Sequence, residues 1–114
     1  MTVSVLKQSD VLIASIQSAL TDTEVIELRD ELLAEVVRHR ARAVIVDVSA
    51  LDIIDSFVVR SLSTVARTNR LRGARTVVVG IRPDVAVTMS QFGLLLDSVE
   101  TALDLEAGLE LLAS

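Results

Sequence analysis

The 114-residue chain contains no cysteine, tryptophan or tyrosine. Without a thiol it has neither a disulfide framework nor a thiolate to serve as nucleophile or metal ligand. Phe57 and Phe92 are its whole aromatic content, so no platform exists for stacking nucleic-acid bases. A net charge of −5 removes the other requirement for nucleic-acid binding, a basic surface. The single histidine, His39, leaves no serine–histidine pair and no His-rich metal set, and its place near the end of a predicted helix suits a cation facing the helix C-terminus. Neither GxGxxG nor GxxxxGK[ST] occurs. No apolar run approaches the roughly 20 residues of a membrane span, and Met1 to Lys7 has neither the basic start nor the apolar stretch of a secretory signal. One proline and four dispersed glycines leave no linker, repeat or low-complexity segment. The expectation is one cytoplasmic domain over residues 1–114, without cofactor, bound metal, nucleic acid or membrane.

What is present is aliphatic: 51% of residues are apolar, mostly Val, Leu, Ala and Ile. A chain of this length can bury roughly two-thirds of its unfolded surface around one such core. Val3–Leu6 and Val11–Ile16 predict two strands joined as a hairpin through Gln8-Ser9-Asp10. Thr21-Asp22-Thr23-Glu24 is a capping box, with Leu20 and Val25 placed as a hydrophobic staple. Val25, Leu28, Leu32, Leu33, Val36 and Val37 continue it at helical spacing to about His39. Ala43–Val48 and Thr76–Ile81 are β-branched runs without polar alternation, as in strands covered on both faces. Ser56–Leu71 between them is an amphipathic helix with Val58, Leu62, Val65 and Asn69 on its inner stripe and Gly73 at its C-terminal cap. Pro83 starts a third helix that Gly93 ends, Ser98–Thr101 suggests a short edge strand, and Asp104 caps a last helix with Leu105, Leu109 and Leu112 inward. The order ββαβαβαβα predicts an α/β domain with a mixed, mostly parallel sheet of about five strands and about four helices, joined by right-handed crossovers.

The chemically suggestive stretch runs from Val44 to Phe57: a buried strand, a tight acidic loop, and Ser56 opening a helix. A helix start offers free N–H groups and a partial positive charge. Ser56 can therefore be an N-cap worth about 1 kcal/mol over alanine, or it can carry a phosphate. Arg60, one turn along, would partly offset the repulsion of that phosphate by Asp52 and Asp55. Asp47, Asp52 and Asp55 could jointly hold Mg²⁺, or each could bond local turn amides. Arg60, Arg67, Arg70, Arg72 and Arg75 form a basic strip, read either as a solvated face or as a partner surface.

Three segments carry a resemblance: Val46-Asp47-Val48-Ser49-Ala50-Leu51-Asp52-Ile53-Ile54-Asp55-Ser56-Phe57, Gly80-Ile81-Arg82-Pro83-Asp84-Val85-Ala86-Val87-Thr88, and the stretch from Val99 to Glu110. In them, and in pattern along the whole chain, it resembles the STAS domain family, and within that family the small RsbS-type scaffold of the bacterial stressosome. The resemblance implies a non-enzymatic protein that assembles as a homodimer or larger, joins RsbR-type STAS sensors, and sequesters an RsbT-type serine/threonine kinase. It implies phosphorylation by that kinase on the serine of the Asp55–Ser56 pair, with Asp55, Phe57 and Arg60 at the partner surface, and reset by a PP2C-like phosphatase. Thr88 matches a second phosphoacceptor of RsbR-type relatives. The anti-sigma-factor antagonists of the family, which bind an anti-sigma kinase one to one, usually follow Asp-Ser with Ser-Gly. Phe57-Val58 stands there instead; a phenyl ring at the partner surface favours the scaffold over the antagonist, and the sequence equally allows Phe57 as a core residue. RsbR-type sensors carry an added N-terminal domain that 114 residues would not hold.

Overall fold

The computed structural model describes residues 3–113. Its elements are β1 (Val3–Gln8), β2 (Val11–Ile16), α1 (Asp22–His39), β3 (Ala43–Asp47), α2 (Ser56–Leu71), β4 (Arg75–Val79), α3 (Pro83–Gln91), β5 (Glu100–Ala102) and α4 (Leu105–Ala113). They build one sheet in the order β1-β2-β3-β4-β5. The β1–β2 hairpin is antiparallel and every other pairing is parallel. This is the mixed α/β domain that the element order predicts.

The aliphatic runs work because both sheet faces are covered. Leu12, Ala14, Ile16, Val44, Val46 and Val78 face one core, shared with Leu28 and Leu32 of α1, Val59, Leu62 and Val65 of α2, and Val85 and Met89 of α3. Their alternate neighbours Val11, Ile13, Ala43, Ile45, Val77 and Val79 face a second, smaller core closed by α4. Strand order follows chain order, so successive crossovers of one hand lay α1, α2 and α3 on the same face. Burying each valine or leucine contributes about 1.5–3 kcal/mol. On the far face α4 lies close to the strands: a Cβ on Gly108 would stand 2.8 Å from Val79 Cγ1.

Element boundaries differ from the sequence reading where backbone sign intervenes. The β4 run was expected to reach Ile81, but Gly80 has φ +79° and turns the chain out of the strand after Val79. The expected Ser98–Thr101 strand begins later, at Glu100, because Ser98 sits at φ +64°. β3 ends at Asp47, one residue short of Val48. In α1, Val37 faces solvent and Leu33 is half-buried, so the inner stripe is narrower than its spacing suggests. In α2, Val59 is buried where Val58 was expected, and Val58 packs at the margin. Leu112 is buried as expected, while Leu105 and Leu109 pack partly buried against the second core.

Candidate functional site

The parallel strands β3 and β4 send their chains out at one end of the sheet, and the segments that follow build the site. After β3, Val48, Leu51 and Ile54 are buried and fix the loop to the core. Val48 N–H donates to Val79 O at 3.0 Å, and Leu51 N–H to Val48 O at 2.9 Å. Asp47 turns its carboxylate back to accept the Ser49 amide at 2.9 Å. The β4–α3 segment lies directly against this loop: a Cβ on Gly80 would meet Ser49 Cβ at 2.8 Å and Asp47 Oδ1 at 3.2 Å. Only glycine satisfies both that approach and the positive φ.

The loop ends at Asp55, and here the structure corrects the sequence reading. Ser56 is not the N-cap. Asp55, in extended backbone, holds that position, and its Oδ1 accepts the Val58 amide at 2.9 Å. Ser56 is the first helical residue; it is exposed, and its hydroxyl makes no hydrogen bond among the described residues. Both Asp and Ser rank highest as caps, so adjacency hid which one serves. With the cap supplied by its neighbour, the Ser56 hydroxyl is free of structural duty.

Beside it Phe57 is half-buried, and the Arg60 guanidinium lies over its ring, 5.9 Å from the centroid. At an exposed site such a contact contributes about 0.5–1 kcal/mol. Ile53, in the same loop, is 74% exposed. A hydroxyl, two exposed carboxylates (Asp52, Asp55), an arginine-covered phenyl ring and an isoleucine thus share one small surface. Nothing in the local sequence marked Ile53, since an aliphatic residue between buried Leu51 and Ile54 reads as core.

The other candidates fall elsewhere. Thr88 lies on α3, exposed, its hydroxyl donating to Asp84 O at 3.1 Å. Asp47 and Asp55 are engaged with local amides, and among the described residues no group of three His, Cys, Asp or Glu could hold a metal ion. His39 closes α1 at the opposite end of the sheet, its Nε2 2.8 Å from Glu35 Oε2. The basic strip is broken: Arg75 makes a bidentate pair with Glu100, at 2.8 and 2.6 Å, which ties β4 to β5. The hydrogen bonds from Arg75 hold the Glu100 carboxyl below its ordinary range, and the same bonds raise the Arg75 guanidinium. Arg60, Arg67, Arg70 and Arg72 remain exposed.

A family model for the STAS domain matches residues 2–108. The chain is similar over 99% of its length to a serine-to-glutamate variant of RsbS from Moorella thermoacetica, with 35% identity, TM-score 0.84 and 96% of that chain covered. It matches a chain of the stressosome, described as a signal integration and transduction hub, at 35% identity and TM-score 0.76, covering 96% of each. The RsbT co-antagonist protein RsbRA of Bacillus subtilis is 32% identical over 83 residues, 73% of this chain. That match spans only 30% of RsbRA. The chain belongs to the STAS domain family. Among its described residues no helix is long and apolar enough to cross a membrane.

Proposed function

We propose that this STAS domain, taken as a single unit over residues 1–114, is a non-enzymatic scaffold and phosphorylation switch of a stressosome-type assembly in the bacterial cytoplasm. In this reading it self-associates, joins RsbR-type sensors and sequesters an RsbT-type serine/threonine kinase. That kinase moves the γ-phosphoryl group of ATP to Ser56 Oγ; the hydroxyl proton is lost and ADP leaves. A PP2C-like phosphatase then restores the hydroxyl by hydrolysis. The observation that carries the reading is the exposed, unbonded Ser56 hydroxyl beside a neighbour that already caps the helix. The start of α2 does not depend on the Ser56 hydroxyl, which leaves that oxygen available for transfer.

The likeness to RsbS, over nearly the whole of both chains, supports the scaffold role. The physics of release follows from the site. A phosphate at Ser56 adds nearly two negative charges at the positive end of the α2 dipole. It meets the Asp55 carboxylate, already bound to Val58 N–H, and makes the surface strongly acidic. Asp55, Phe57 and Arg60 form the contact for the kinase, whose docking then carries new repulsion and desolvation. Tenfold release needs only about 1.4 kcal/mol. Thr88, already donating within its own helix, is the weaker acceptor.

The test is incubation with such a kinase and ATP, then peptide mass spectrometry, with kinase affinity and sedimentation measured before and after. Phosphate on Ser56, weaker kinase binding, and large particles only with an RsbR-type sensor are expected. Phosphate mainly elsewhere overturns the switch. A strictly one-to-one kinase complex without larger assembly makes the protein an anti-sigma-factor antagonist instead.

A further inference from the structure

At the sheet edge farthest from α3, a groove of about 780 Å³ opens between β1 and α1. Its apolar side is formed by Val3 and Val5 of the strand and Leu28 of the helix, and its opposite wall carries Glu24, Glu27 and Glu31. Glu24 serves the capping box, accepting the Thr21 amide at 2.9 Å. Glu27 and Glu31 are exposed, stand one turn apart on the same helix face, and make no ion pair among the described residues. Like charges at that spacing repel by a few tenths of a kcal/mol, which a cation between them would relieve.

The strand beside this wall is open. Among the described residues β1 pairs only with β2, so alternate N–H and C=O groups point away from the sheet. Edge strands are usually protected by a bulge, a proline or a charge. The β1 register runs unbroken from Val3↔Ile16 to Gln8↔Val11, the strand has no proline, and its one charge, Lys7, shares the face of Val3 and Val5 but stands beyond the residues that line the groove. We propose that the groove between β1 and α1 receives an extended, lysine- or arginine-bearing segment of a partner protein, added to the sheet as a sixth strand. Its main chain completes the open hydrogen bonds of β1, and alternate side chains enter the groove, apolar ones against Val3, Val5 and Leu28 and basic ones against Glu27 and Glu31.

Charge selects this occupant over a second copy of the chain. Two copies pairing β1 antiparallel about a two-fold axis would keep the same sheet face forward and bring two α1 acidic walls together. The facing Glu27 and Glu31 side chains oppose that approach at this edge and attract a basic segment. The groove opens at the same end of the sheet as Ser56 but two strands away, and Ser56 is not among its lining residues.

The probe is an end-blocked Lys-Val-Lys-Val-Lys-Val peptide titrated into the full isotope-labelled chain and followed by amide NMR. Shifts centred on Ser4, Val5, Glu27 and Glu31 are expected, with slowed exchange of β1 amides. The paired Glu27→Lys and Glu31→Lys variant, altered only at exposed helix positions, should bind at least tenfold more weakly. A Glu-Val peptide of the same length should not bind. Equal binding of both peptides, unchanged affinity in the variant, or shifts elsewhere overturns the proposal. So does protection of the outward β1 amides in the peptide-free chain that disappears on dilution, which would show that strand already paired with a second copy. Ser56→Asp should leave peptide affinity within twofold, so loss of the switch and loss of the groove are separate results.

Discussion

Two helices of this protein start with the same ingredients, a hydroxyl residue and a carboxylate, and use them in opposite ways. At α1, Thr21 is the cap: its hydroxyl accepts the Glu24 amide at 3.2 Å while Glu24 returns to the Thr21 amide. At α2, the carboxylate of Asp55 is the cap and the hydroxyl of Ser56 is left out. The Thr21 hydroxyl is engaged by a backbone amide, whereas the Ser56 hydroxyl is displaced from that role by the neighbouring acid. The order of two adjacent residues therefore decides whether the hydroxyl at a helix start is engaged or left open to solvent.

The contrast is most strongly perturbed from beneath. Gly80→Ala forces a Cβ against Ser49 at positive φ, and should destabilise the domain by about 2–3 kcal/mol. Thermal unfolding measures this, and the α1 start should keep its amide protection while the α2 loop loses it. Removing the caps tests the comparison directly. Asp55→Ala should cost about 1–2 kcal/mol and Thr21→Ala about 1 kcal/mol, by denaturant unfolding. Ser56→Ala, by contrast, should change stability by less than about 0.5 kcal/mol while abolishing modification. A loss of a full kcal/mol there would mean that the serine shares the cap. The smallest effect belongs to a site remote from both helix starts. Glu100 has a folded pKa below its ordinary value, so its contribution is present above about pH 4.5 and fades as pH falls through the lower folded value. Amide exchange in β5 should quicken over that acid range, and Glu100→Gln should remove the dependence without altering α1 or α2.

The elements were legible where the signal was local. β-branched runs gave β3 and the body of β4, and the Thr21 box gave the first residue of α1. The extent of α2, from Ser56 to Leu71, was likewise readable from its pattern. What escaped depends on contacts between distant segments or on backbone sign. A valine run followed by Gly80 does not reveal that φ turns positive, nor that Ser49 lies against it. Arg75 reads as one more member of a basic strip until β5 brings Glu100 beside it. Between Asp55 and Ser56 the capping preferences are too alike to separate from sequence. The place of Ser56 at the start of α2 was therefore legible, but its release from capping was visible only in three dimensions.

Strand order that follows chain order has a consequence for how the protein is made. Each new strand meets a partner that has already left the ribosome, and every crossover helix precedes the strand that seals it. The loop leading into Ser56 is synthesised before its support, because Val79 and Gly80 arrive more than twenty residues later. During synthesis the serine is thus present but unsupported, and the surface around it takes its final shape only when β4 docks. A partner that recognises that shape can bind only chains translated past Gly80, after the sheet beneath the site has been laid.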